Sequence, residues 1–258
     1  MSYSGNNMIP KIYVINLKTS IDRKEHMDQQ FKLLVKKHPE LKLNIEYFPA
    51  VHGTREPKHP LFKKYNAGKH FTRKGRHLSL SELGCFASHY LVWQQCLNNG
   101  MPIIVLEDDA NLLDNFVYFL QEANDLAEKY QFLWLHKNHR SSKYITIAKT
   151  QYFTVAKYFR EFMCTTGYLL TPETAQKFIN YFDEIIYPVD DQMSRFYENK
   201  VENFSVYPPC IIDAELESII TQEGRSKSAL NILSKLKREY YSTKDNICRF
   251  IYNLKYRI

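Results

Sequence analysis

Glycine is scarce, at 8 in 258 residues. That is too few for the glycine-rich loops by which P-loop and dinucleotide folds hold phosphates, and it excludes collagen-like sequence. Paired cysteines are missing too: Cys85, Cys96, Cys164, Cys210 and Cys248 are odd in number and form no C-x-x-C. A disulfide framework and a zinc site are therefore set aside, and five scattered thiols suit small core positions in a reducing compartment. No apolar run approaches the ~20 residues of a membrane span; uninterrupted stretches such as residues 103–106 are short. Residues 1–7 lack the charged-then-apolar pattern of a signal peptide, so a cytoplasmic protein is expected.

What is present is ordinary globular material, 44% apolar and 24% charged, with aromatics at 14%. A chain of this size buries roughly 70% of its unfolded surface and needs no covalent staples. The net charge is +7, and its placement is uneven. Residues 225–258 hold nine basic side chains against Glu239 and Asp245, which accounts for the whole excess and leaves the other 224 residues neutral.

Residues 11–17 (KIYVINL) read as a buried strand, followed by a helix from Ser20 and Asp22 to about Lys37 with Met27, Phe31, Leu34 and Val35 on one face. A second strand spans 44–51, and 54–78 is basic and aperiodic, a long loop of the kind that often serves as a lid. Ser79 and Glu82 have capping-box spacing, opening a helix that stops at Gly100. An apolar strand at 102–106 ends in Glu107, Asp108 and Asp109. A helix at 113–130, strands at 132–135, 165–170 and 203–207, and helices after Thr171–Pro172 and Pro188 complete the pattern. Alternating strands and helices predict an α/β domain with a mostly parallel central sheet over residues 8–224, and a helical basic extension over 225–258.

Three adjacent carboxylates at the end of a buried strand are the strongest chemical signal. Open α/β sheets bind ligands outside the carboxyl ends of their strands. In an extended segment Glu107 and Asp109 point the same way, and a hard cation, Mn²⁺ or Mg²⁺, would neutralise them and bridge to a diphosphate. A solvated acidic turn is the plain alternative.

Residues 14–17 (VINL) with Asp22 and Arg23, 81–89 (SELGCFASH), 106–109 (LEDD), 166–170 (TGYLL) and 188–190 (PVD) occur in an order and spacing that resembles glycosyltransferase family 25. That family includes bacterial lipooligosaccharide and lipopolysaccharide galactosyltransferases and the collagen galactosyltransferases. The resemblance covers about residues 11–212. It implies a GT-A-type fold, UDP-galactose as donor, Mn²⁺ or Mg²⁺, and inversion at the anomeric carbon. It also assigns roles: Asp109 and Glu107 to the metal, Asp108 to the ribose or donor sugar, and Asn16 and Leu17 to the uracil. Arg23 is either a phosphate contact or a helix-surface ion pair. Ser88 and His89 are either donor contacts or packed helix residues. Inversion by direct displacement needs a carboxylate base for the acceptor hydroxyl, and Asp190 is assigned to it with Asp191 second. A helix N-terminus there would favour the charge and weaken the base.

Trp93 and Trp134 read as core, while Tyr144, Tyr152, Tyr158 and Tyr168 are free to line an acceptor groove. The expected acceptor is a lipid-linked oligosaccharide. Transfer of glucose or an N-acetylhexosamine is the alternative within enzymes. A basic nucleic-acid-binding protein is the alternative outside them, opposed by the neutral body and the lack of an RNA-binding motif. In the tail, Ala229, Leu233, Leu236 and Tyr240 recur at helical spacing, as do Ile247, Phe250, Ile251, Leu254 and Ile258, with lysines and arginines beside both stripes. Two such helices suit an anionic membrane surface, placing the enzyme peripherally on the inner face of the cytoplasmic membrane; the alternative is that both stripes pack on the domain.

Overall fold

The structure, a computed structural model, describes residues 9–213 and 232–256. Its centre is a sheet of eight strands: β1 (Lys11–Asn16), β2 (Ile45–Pro49), β3 (Ile103–Glu107), β5 (Phe132–Trp134), β6 (Tyr144–Lys149), β7 (Thr154–Tyr158), β8 (Gly167–Leu170) and β9 (Phe204–Tyr207), in the order β2-β1-β3-β8-β5-β9-β7-β6. β4 (Ala110–Leu112) pairs separately with β10 (Ile211–Asp213). β1, β2 and β3 run parallel, as do β5 and β9. β8 lies antiparallel between β3 and β5, and β7 lies antiparallel between β9 and β6, so the sheet is mixed.

Both faces are covered, and strand alternation explains how. Ile12 and Val14 of β1 and Ile104 and Leu106 of β3 join one apolar cluster with Met27 and Phe31 of α1 (Ile21–Lys37) and Phe119 and Leu120 of α4 (Phe116–Tyr130). Tyr13 and Ile15, Ile103 and Val105 point the other way, to Phe86 and Trp93 of α3 (Leu80–Asn99) and Phe178 of α5 (Pro172–Tyr181). Strands apolar on both faces are what a sheet between two helical layers requires. The expected α/β, GT-A-type architecture with a flanked central sheet and a C-terminal helix is present.

The capping box at α3 forms in full: Ser79 accepts from the Glu82 amide and Glu82 accepts from the Ser79 amide. The segment expected as an aperiodic loop instead holds a 3-10 turn (Pro60–Lys64) and α2 (Ala67–Lys74), closed by Asn66 as N-cap and Gly75 at φ 72°. α4 starts at Phe116, because residues 110–112 are taken into β4. Tyr158 and Tyr168 are buried and cannot line a groove, whereas Trp93 and Trp134 are core. Only Cys96 and Cys210 fill core positions: Cys85 is half-buried, and Cys164 and Cys248 are exposed.

After the short helices α6 (Val189–Met193) and α7 (Phe196–Asn199), α8 (Ile232–Asn253) is one continuous helix where two were expected. The 224/225 boundary, Arg225, Lys227, Ala229, Arg257 and Ile258 lie outside the described residues. α8 is tied to the sheet through Glu202, whose carboxylate meets Lys157 of β7 at 2.6 Å, Tyr252 at 2.7 Å and Lys255 at 2.6 Å. Lys157 is fully buried; burial pushes its pKa down to about 8 against the pull of Glu202. Burial alone would raise Glu202, but the Lys157 charge and the hydrogen bonds from Lys157, Lys255 and Tyr252 together outweigh it and hold the carboxyl at about 2.

Removing one partner of a buried pair strands the other charge. Glu202→Gln is expected to lower stability by about 3 kcal/mol at pH 7, measured by urea unfolding. Glu202 titrates lower in the folded chain than in the unfolded one, so its contribution is complete above about pH 4.5 and fades as pH falls toward 2. The gap between wild type and variant closes over that range.

Candidate active site

β1, α1, α3 and β3 converge on a cavity of about 150 Å³ at the carboxyl end of the parallel strands. Leu17, Arg23, Ser88, His89, Glu107, Asp108 and Asp109 all line it. β3 ends at Glu107, and residues 108–109 form a turn, so Asp108 faces the cavity along with its neighbours rather than alternating away.

Each carboxylate has its own support. Asp108 accepts from the Asn16 amide at 2.7 Å and from Arg23 at 2.9 Å. Burial raises its pKa, with Arg23 and Asn16 opposing. Asn16 also donates to the Ser20 carbonyl at 3.1 Å, so its amide holds the β1–α1 turn as well as Asp108. Arg23 reaches Asp109 too, at 3.3 Å, and lies inside the cleft rather than in a surface pair.

Glu107 is held from inside the protein. The Trp93 indole N–H donates to the Tyr168 hydroxyl at 2.9 Å, and that hydroxyl meets His89 Nδ1 at 2.9 Å. Because indole can only donate, the Tyr168 proton is free to go to Nδ1, which leaves Nε2–H to donate to Glu107 at 3.1 Å. Thr165 donates to the same carboxylate oxygen. Burial would push Glu107 up, yet the His89 bond and the Thr165 bond hold it below the usual range. Both His89 nitrogens are therefore engaged within the fold. The Ser88 hydroxyl is likewise occupied, accepting from the Val51 amide at 2.9 Å and donating to the Gly84 carbonyl at 2.8 Å.

Asp109 is the least compensated. Burial first, then the Glu107 charge, push its carboxyl up to about 7, Arg23 opposing and Asp108 and Asp213 adding to the rise. Asp213 was not singled out by sequence. It comes to the site because β10 pairs with β4 and sets Asp213 across from Ala110. Its carboxylate accepts from Thr166 and meets His139 at 3.2 Å. The one available signal was an acidic residue ending an apolar pair, as at β3.

This donor set fits a hard divalent cation. Glu107 and Asp109 line the same cleft and the Asp213 charge acts on Asp109, and carboxylates in excess of nearby cations are what Mn²⁺ or Mg²⁺ takes. Cys85, His89 and Glu107 also have ligand atoms within 4.8 Å of one another. Burial and the Glu107 charge raise the Cys85 thiol well above its usual range, and His89 is already bonded, so this trio does not suit a soft metal.

Asp190 and Asp191 open α6, a helix of five residues, too short for its dipole to dominate. Asp190 accepts from the Cys164 amide at 3.0 Å and the Asp191 amide at 2.8 Å. Burial and the Asp191 charge raise it, so the weakening expected from a helix terminus does not occur. Asp191 is buried and would also be raised, but Lys74 at 2.5 Å holds it below the usual range. Beyond Asp191 opens a second cavity of about 260 Å³, lined by Arg73, Lys74, Arg140, Arg195 and Arg238 among others.

Against known proteins, the profile of "Glycosyltransferase family 25 (LPS biosynthesis protein)" matches residues 9–193. The chain belongs to glycosyltransferase family 25. It is 32% identical over 203 residues to a procollagen lysyl hydroxylase and glycosyltransferase of Acanthamoeba polyphaga mimivirus, covering 71% of this chain and 21% of that protein. Two Haemophilus influenzae lipooligosaccharide biosynthesis proteins are similar as well. With lic2B the identity is 30% over 120 residues, 46% of this chain and 41% of the relative. With lex-1 it is 26% over 220 residues, 74% of this chain and 71% of the relative.

In this family 25 chain, Gly84 brings α3 against the loop at residues 51–53, and both are walls of the cleft. A Cβ there would lie 2.6 Å from the Val51 carbonyl oxygen and 2.7 Å from the Gly53 nitrogen. Gly84→Ala is expected to cost about 1–3 kcal/mol of stability and to weaken UDP binding severalfold, read by urea unfolding and by calorimetric titration. Unchanged UDP affinity would contradict this placement of the cleft wall.

Proposed function

We propose that the chain is an inverting, metal-dependent glycosyltransferase that moves galactose from UDP-galactose to a lipooligosaccharide or lipopolysaccharide core acceptor. The observation that carries the proposal is the group Glu107, Asp108 and Asp109 in one cleft with Leu17 and Arg23, in a chain of this family. Galactose rather than glucose or an N-acetylhexosamine rests on the family's collagen- and lipooligosaccharide-related members; the acceptor class rests on the names of the Haemophilus relatives.

In this reading Leu17 packs against the uracil, and Asp108, pinned by Asn16 and Arg23, receives hydroxyls of the ribose or the donor sugar. Ser88 and His89 act as positioning residues, since their polar atoms are used to hold the Val51 backbone and Glu107. A cation held by Asp109 and Glu107, with Asp213 in reach, would bind the diphosphate and offset its charge as the sugar–phosphate bond breaks. Asp190 takes the proton of the acceptor hydroxyl. The freed oxygen attacks the anomeric carbon from the face opposite the phosphate, and UDP departs with the bonding electron pair. The raised carboxyl of Asp190 suits a base, whereas Asp191 is neutralised by Lys74 and serves to orient the pair. The cavity beside Asp191, where seven basic side chains outnumber four acidic ones, supports an acceptor that carries phosphate or carboxylate groups.

The test is mass-spectrometric assay with a panel of UDP-sugars and truncated core oligosaccharides. Asp190→Asn should lower turnover by ~10²–10⁴-fold with UDP affinity unchanged. Asp109→Ala should abolish transfer, and chelation should do the same until Mn²⁺ is restored. Wild-type turnover in Asp190→Asn would move the base to Asp191 or elsewhere, and full activity in chelator would overturn the metal assignment.

A further inference from the structure

α8 docks with its polar side inward. Arg249 and Asn253 are its buried residues; Arg249 binds Glu161 and Asn253 donates to the Phe159 carbonyl at 3.2 Å. Asp245 meets Arg195 at 2.5 Å, and the Tyr241 ring lies under Arg73 at 4.8 Å. The surface that receives the helix is itself charged, so it matches these groups and has no place for an apolar stripe.

That stripe faces outward. Leu233, Leu236, Tyr240, Ile247, Ile251 and Leu254 are between 42% and 64% exposed. At the helical repeat of about 100° per residue they fall within an arc of about 60°, turned away from Arg249 and Asn253. Exposed Lys237 and Lys244 border it along one edge. Between the two alternatives read from sequence, packing of the stripe on the domain is excluded for the described part of the tail.

We infer that the outward face of α8 lies in the interface of an anionic lipid bilayer. Three features select this occupant. An amphipathic helix with an exposed apolar stripe and lysines along one edge is a geometry that sits at headgroup depth, where the lysine stems reach outward to phosphate and Tyr240 presents its hydroxyl to water. In an antiparallel packing against a second copy the Lys237 and Lys244 edges would meet and repel, whereas they complement anionic headgroups. No helix among the described residues is long and apolar enough to cross a membrane, so the contact is a surface one. The lipid-linked acceptor of the proposed reaction would be presented at the same surface, but the inference does not depend on that reaction.

Full-length protein is cosedimented with vesicles of phosphatidylcholine alone and with vesicles containing 30 mol% phosphatidylglycerol, at low and high salt. Binding is expected to the anionic vesicles, at least tenfold weaker without phosphatidylglycerol and reduced by salt. The combined variant Leu236→Gln, Ile247→Gln and Ile251→Gln should lose at least tenfold in binding, as should Lys237→Glu with Lys244→Glu. Both sets change exposed positions, so melting temperature and UDP binding should be retained, which separates failure of the lipid contact from failure of the donor site. Absence of wild-type binding, or binding by both variant sets equal to that of wild type, overturns the inference. So does a wild-type dimer that the glutamine variant converts to monomer in analytical ultracentrifugation, since it would assign the stripe to a second copy.

Discussion

The surplus of negative charge at the carboxyl end of β3 is the constraint around which this fold is arranged. A buried apolar strand delivers Glu107, Asp108 and Asp109 to one cavity, and the charge of Asp213 on β10 adds to theirs at Asp109. Like charges at this separation, partly withdrawn from water, disfavour ionisation, and Asp109 shows it with a carboxyl near 7. The surrounding elements each offset part of the cost. β1 and α1 contribute Asn16 and Arg23, α3 contributes His89, and the segment before β8 contributes Thr165. What they leave uncompensated is negative charge at Asp109, which the proposed cation would offset.

The same logic divides the two aspartates of α6. They are sequence neighbours with similar burial, yet one has a lysine at 2.5 Å and the other has backbone amides. An ammonium partner fixes Asp191 as an anion, and the lack of one leaves Asp190 able to take up a proton. Two adjacent carboxylates thereby acquire different chemistry from their partners alone. Lys74, which makes the difference, comes from α2, the helix hidden in a stretch that reads as loop.

Local chemistry was legible in the sequence, and long-range pairing was not. The Ser79–Glu82 box and the Thr171–Pro172 cap form as spaced, because each is decided within four residues. The cleft residues were legible through ordered motifs, although which of them touch a ligand was not: Val51, held by Ser88, lies 37 residues away, and the His89 partners Glu107 and Tyr168 lie 18 and 79 away. β6 was missed because it is an edge strand whose register shifts between Thr146 and Ala148, which breaks the alternation. α2 has only eight residues, too few for a clear period. In the tail the apolar stripe was plain, but the side that docks depended on Glu161, Glu202 and Arg195, none of them near it in the chain.

If the β3 carboxylates are a cation site completed by the donor diphosphate, Mn²⁺ and UDP must bind together. Electron paramagnetic resonance of free Mn²⁺ reads this without any acceptor or turnover. Adding UDP to protein and Mn²⁺ should remove about one equivalent of the free-ion signal per chain, and Asp109→Asn should restore it under the same conditions. Equal free Mn²⁺ for wild type and Asp109→Asn, with UDP saturating, would contradict the account.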